Sequence, residues 1–233
     1  MIARWKIPIL VLIVCPGLYA PVARAATQAD IPLHRQAPGR TFGYESDTLL
    51  LDDSGQPNGQ LVADRFILSQ SAQVCSVRWW GFYGGTGVLD PGPPSSESFR
   101  IRFFDDVASL PGNLISESTF DDPSRTWTGQ LINIAGARRE YFYQATLPQC
   151  ISANAGSTYW MEIAQLDDIN SRFRWENSNT LDGFAVQFPI GTPWRLSSNP
   201  SQLAYELWTP EPWSGVLLAI VVGIVRRIAA VRR

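Results

Sequence analysis

The 233-residue chain holds one lysine, one histidine, three cysteines and two methionines. The lysine, Lys6, lies in the first ten residues, so Schiff-base and lysine isopeptide chemistry have no residue to use further along the chain. A histidine-based zinc site needs several imidazoles, and His34 stands alone. A Ser-His-Asp triad would have to be built on that same residue, in the loop-like run "IPLHRQAPGR". The glycine-rich "YGGTG" lacks the Gly-Lys-Ser/Thr ending of a phosphate loop, and a proline-rich run follows it instead of a helix. No stretch between the two ends shows a helical period, and no internal repeat or EF-hand spacing is visible.

What is present divides the chain in three. At the front, Arg4 and Lys6 precede an apolar run over 7–20, and Ala23 and Ala25 fit the small-x-small cleavage rule. This predicts a secretory signal peptide over 1–25. At the back, 210–233 are apolar and basic. The 184 residues between them, 26–209, suffice for one domain with a real core. They carry 12 arginines against 20 acidic residues, a net charge of −8, whereas the whole chain is −2 because both ends are basic. An acidic body argues against a nucleic-acid partner, since phosphate binding needs a basic face.

Cys15 falls in the signal, which leaves Cys75 and Cys150 as an even pair in an exported body. A disulfide is expected, because export delivers the chain to an oxidising compartment.

Period-two alternation recurs along the body. It groups Phe99, Ile101 and Phe103 in "SFRIRFF", and Cys75, Val77 and Trp79 in "QVCSVRWWGFY". It does the same for Tyr141, Tyr143, Ala145 and Leu147, for Tyr159, Met161 and Ile163, for Phe184, Val186 and Phe188, and for Leu203, Tyr205 and Leu207. Gly, Pro, Asn, Asp and Ser clusters separate these runs. Eight to ten half-buried strands predict an all-β fold, an antiparallel β-sandwich of jelly-roll-like form over 48–209. The poorly patterned 26–47 reads as a flexible N-terminal arm.

Two residue classes stand out as candidate sites. Four Asp-Asp pairs, Asp52-Asp53, Asp105-Asp106, Asp121-Asp122 and Asp167-Asp168, each follow a Leu or Phe where an apolar run meets a loop. Turn-capping by the Asp side chain is the first reading, and clustered loop carboxylates that suit Ca²⁺ are the second. Of the seven body tryptophans, Trp80, Trp160 and Trp208 fall opposite the apolar sets, on faces a sandwich leaves wet. Packing in the core is the first reading of such tryptophans; left exposed there, they would form stacking platforms for a glycan. Twenty acids include many pairs that a glycosidase would suit, and nothing in the sequence selects one. The body therefore reads as non-enzymatic and without a required cofactor, with a lectin-like module as the alternative and a secreted hydrolase behind it.

The ending reads Pro210-Glu211-Pro212, then an uncharged run over 213–225, then Arg226 and Arg227, four apolar residues, and Arg232 and Arg233. As a helix the uncharged run covers roughly 20 Å, and a second apolar stretch extends it if Arg226 and Arg227 snorkel. This order of parts resembles the PEP-CTERM sorting signal. The resemblance implies an exosortase as processing partner, a transmembrane helix held in the inner membrane before cleavage, and release near Pro210-Glu211-Pro212. It further implies delivery to the envelope surface or extracellular matrix of a Gram-negative bacterium, in association with exopolysaccharide or biofilm. An ordinary C-terminal anchor is the other reading of the same run.

Overall fold

The computed structural model describes residues 32–48, 59–84, 90–132, 134, 136–166, 172–199 and 201–209. The expected signal peptide, the sorting signal with Pro210, Glu211, Pro212, Arg226, Arg227, Arg232 and Arg233, and the pairs Asp52-Asp53 and Asp167-Asp168 lie outside these residues. Within them the chain is all β. The strands are β1 His34–Gln36, β2 Pro38–Glu45, β3 Leu61–Ile67, β4 Ala72–Gly84, β5 Ser98–Val107, β6 Leu110–Asp121 and β7 Ser124–Ile132. They continue as β8 Arg138–Ala153, β9 Thr158–Gln165, β10 Arg172–Leu181, β11 Ala185–Gln187, β12 Arg195–Leu196, β13 Ser201–Leu203 and β14 Tyr205–Trp208.

Two antiparallel sheets pack face to face as a β-sandwich. The first holds β1, β2, β4, β7, β8, β10, β13 and β14, with β4 at its centre between β8 on one side and β10 and β14 on the other. The second runs β12-β11-β3-β9-β5-β6. Chain-consecutive strands β2, β3, β4 and β5 alternate between the two sheets, which brings distant segments together.

The alternation read from the sequence becomes the core. Phe99, Ile101 and Phe103 of β5, Met161 and Ile163 of β9, Val77 and Trp79 of β4, Tyr143 of β8, and Tyr205 and Leu207 of β14 are all buried in one cluster. Trp79 stacks on Tyr143 with ring centroids 5.1 Å apart, and Phe99 meets Phe173 edge-on at 4.8 Å. The expected grouping fails at Phe188, which is exposed while Phe184 is buried, because β11 ends at Gln187 and the alternation ends with it.

Cys75 and Cys150 form a disulfide, with Cα atoms 4.3 Å apart. It joins the neighbouring strands β4 and β8 where their register shifts, between Val74 opposite Ile151 and Ser76 opposite Thr146. The bond closes a separation of 75 residues and in the chain-entropy model contributes about 4 kcal/mol.

The expected arm is the main correction to the domain boundaries. Residues 34–45 form β1 and β2, paired with β14 and β10, so the sandwich begins near His34 and not at 48. The segment lacks alternation because polar groups fix it. Gln36, Ser46 and Asp47 are buried, Ser46 Oγ donates to the Ile163 carbonyl, and the Asn177 amide oxygen accepts from Phe42 N at 3.1 Å.

Candidate functional site

Side chains on the outer face of the first sheet follow from register. Val77 and Trp79 point inward, so Ser76, Arg78 and Trp80 point outward from β4. Trp208 lies opposite Ser76, Glu206 and Gln144 flank Arg78, and Phe142 lies opposite Trp80. The face is therefore a strip two tryptophans long. Trp208 and Trp80 are four residues apart along β4, roughly 13 Å at the rise of a strand.

Charge and hydrogen bonding hold this strip in shape. The Arg78 guanidinium lies 3.9 Å from the Trp208 ring centroid, a cation–π contact. Arg78 Nε donates to Gln144 Oε1 at 3.2 Å. Glu206 takes the Trp208 indole N–H at 3.1 Å and lies 3.1 Å from Arg35 and 3.8 Å from Arg78. Trp80 and Phe142 tilt together with centroids 5.2 Å apart. Both tryptophans are half-buried, and among the described residues the Trp80 indole N–H has no protein acceptor. The strip thus offers ring faces, a free donor and a row of ordered polar side chains.

The strip ends beyond Trp80. Phe82 is buried under β2, where a side chain at Gly43 would meet the Phe82 ring at 2.7 Å. There the structure brings two carboxylates into one place, Glu140 and Glu176, both fully buried. Arg40 spans them: its backbone N–H donates to Glu176 at 2.7 Å and its Nε to Glu140 at 2.9 Å. Burial, with the Glu140 charge beside it, pushes the Glu176 carboxyl up to about 8. The pair fixes β2 onto the sheet and has no open side from which a substrate would reach it.

Trp160 corrects a sequence expectation. It does lie on the outer face of the second sheet, opposite Met161, yet it is fully buried and offers no platform. Phe104 and Ala185 pack with it, and Leu110 and Trp194 close over them; Trp194 comes from the segment that carries β12. Its indole N–H donates to Asp106 Oδ1 at 2.8 Å. On the same face Glu162 is buried and bridges Arg100 and Arg102.

The two described Asp pairs are taken up by hydrogen bonds within the chain, and of the four only Asp106 caps a turn. Asp106 accepts from Ser109 N as well as from Trp160, and Asp105 accepts from the Asn113 side chain at 2.9 Å. Asp122 Oδ1 accepts from Glu97 N at 3.0 Å, and Asp121 accepts from the Ser98 hydroxyl. Because Ser98 opens β5 and Asp105 lies near its end, the two pairs sit at opposite ends of the β5–β6 hairpin and do not converge on one ion. Among the described residues no three His, Cys, Asp or Glu side chains group as metal ligands.

The single histidine is committed to packing. His34 stacks on Tyr205 at 5.3 Å, its ring meets the Gln36 amide at 3.2 Å and the Ile67 backbone, and burial pushes its pKa down to about 4. A second buried group, Tyr83, Tyr143, Glu97 and Arg125, closes one end of the core; the two tyrosine hydroxyls lie 2.8 Å apart. Burial raises the pKa of both phenols.

Sequence reasoning singled out Trp80 and Trp208 and did not single out Arg78, Phe142, Gln144 and Glu206. The signal was available: Arg78 is two residues from Trp80 on one strand, and Glu206 two from Trp208 on another. A family model described as "Domain of unknown function (DUF7901)" matches residues 34–214. No curated protein matches the chain.

Proposed function

The chain belongs to the DUF7901 family, and we propose that it is an exported, non-catalytic protein of the cell surface or extracellular matrix whose sandwich holds polysaccharide. The observation that carries this reading is the outer strip of the first sheet. Trp80 and Trp208 lie half-open on one face, about 13 Å apart, with ordered polar side chains between them. Stacking surfaces with interleaved hydrogen-bonding groups suit pyranose rings, which present an apolar face and polar edges.

Two further features support the reading. The strand runs β2-β10-β4-β8 and β3-β9-β5-β6 support a jelly-roll reading of the sandwich, a fold that lectin domains share; the likeness is one of fold. The disulfide between Cys75 and Cys150 suits an oxidising compartment. In this reading residues 1–25 direct export, the tail over 210–233 spans the inner membrane, and an exosortase removes it near Pro210-Glu211-Pro212. Affinity electrophoresis of residues 26–209 through gels containing bacterial exopolysaccharide tests the binding. Retardation that Trp80→Ala and Trp208→Ala each relieve is expected. Unretarded migration, or retardation that neither variant changes, would overturn it.

A further inference from the structure

The outer strip is basic, although the body is acidic. Strand alternation places Arg35, Arg78, Arg172 and Arg174 on the outer face of the first sheet, and Arg40 reaches over it. The same register puts Glu45, Glu140, Glu176 and Glu206 there. With Arg138, which is buried and shares the outward register of Glu140 on β8, six of the body's 12 arginines share this face with four of its 20 acids. The remaining six arginines and 16 acids leave the rest of the body at −10.

The accessible charges fall into two groups of one kind. Glu206 lies between Arg35 and Arg78, and Glu45 between Arg172 and Arg174, at 3.9 and 2.6 Å. Each Arg-Glu-Arg group carries one net positive charge, and the glutamate fixes the two guanidinium groups in place. In the third set Glu140 and Glu176 are fully buried and Arg40 lies exposed above them, its guanidinium held by Glu140, so the set adds no net positive charge. The Arg174 side chain lies against Gly84, six residues beyond Arg78 on β4, so the two groups are roughly 20 Å apart, with Trp80 between them.

We propose that this face binds an acidic polysaccharide, one whose sugar rings carry carboxylates at intervals. The inference rests on the glycan reading above and narrows it. Guanidinium forks take carboxylates in bidentate fashion, and Trp208 and Trp80 take the ring faces between them. Charges so widely spaced suit a chain with occasional carboxylates. A continuous phosphate backbone would instead meet the acidic remainder of the body.

Polygalacturonate, its fully methyl-esterified form and duplex DNA serve as probes, each titrated against residues 26–209 by calorimetry at low and at 0.5 M salt. Binding to polygalacturonate, at least tenfold weaker to the ester and weakened by salt, is expected. Arg78→Gln and Arg174→Gln should each weaken it by threefold or more. Arg195→Gln, the same charge change on β12 of the other sheet, should leave it unchanged, and circular dichroism checks that all three variants fold. Equal binding of the acid and its ester would overturn the charge inference and leave the glycan reading standing. Binding of neither sugar polymer, with no retardation on any exopolysaccharide, would remove both. DNA binding as tight as that of polygalacturonate, or an equal loss in Arg195→Gln, would show a general polyanion effect and overturn the proposal.

Discussion

Replacing Trp160 separates a buried tryptophan from a surface one. Trp160 is fully shielded under Trp194 and Leu110, and its N–H is satisfied by Asp106. A tryptophan side chain buries on the order of 200 Å², which at about 25 cal/mol per Å² amounts to roughly 5 kcal/mol. Alanine retains a small part of that, so Trp160→Ala should cost about 4 kcal/mol, within the range for large aromatic truncations. For a domain of this size that lowers the melting temperature by roughly 10 °C. Trp160→Phe keeps a six-membered ring and loses the pyrrole ring with its N–H donor. Asp106 is exposed, so water replaces the bond, and a cost of about 2 kcal/mol, mostly lost packing, is expected. Trp208→Ala, on the half-open strip, should cost about 1 kcal/mol. Urea unfolding of the three variants, with m-values compared, gives the ranking. If Trp160→Ala loses no more than Trp208→Ala, the segment carrying Trp194 does not seal the second sheet, and the reasoning for its burial fails.

Three further outcomes are expected, two from the structure and one from the sequence of the two ends. Thiol labelling of the unfolded, unreduced body should find no free cysteine, and reduction should lower stability by about 4 kcal/mol through the 75-residue separation between Cys75 and Cys150. Glu176 should make stability fall with rising pH. Its folded pKa of about 8 lies above the ordinary 4.5, so the native state binds the proton more tightly and this contribution is lost as pH rises through that window. Wild type should lose ground to Glu176→Gln between pH 5 and 8 in paired denaturant titrations, and parallel curves would contradict the buried pair. The exported protein should have a mass lacking both residues 1–25 and the arginine tail; Arg233 on the mature form would leave only a plain anchor.

Strand faces were legible because one sheet face is wet and the other dry. Phe99, Ile101 and Phe103 alternate with Arg100 and Arg102, and the assignment of Trp79 to the core and Trp80 to the surface needed only that period. The pattern goes silent where both faces are covered. β9 is buried almost throughout, and nothing near Trp160 in sequence announces that Trp194, 34 residues later, will lie over it. It goes silent again where polar groups carry the packing, as in β1 and β2, whose buried Gln36 and whose bonds to Asn177 read from sequence as loop. The candidate site was half visible. Trp80 and Trp208 were placed on outer faces strand by strand, but only the pairing of β14 with β4 puts them on the same face with Arg78 between. That pairing joins segments well over a hundred residues apart, beyond what local period can report.

The direct measurement of the central claim is the indole N–H spectrum of ¹⁵N-labelled residues 26–209, recorded while a polygalacturonate oligomer is added. The Trp80 and Trp208 resonances should shift together and saturate, while those of Trp79, Trp160 and Trp175, all fully buried, stay in place. If Trp80 and Trp208 remain unmoved at saturating oligomer, or only tryptophans away from this face respond, the outer strip of the first sheet is not the binding surface.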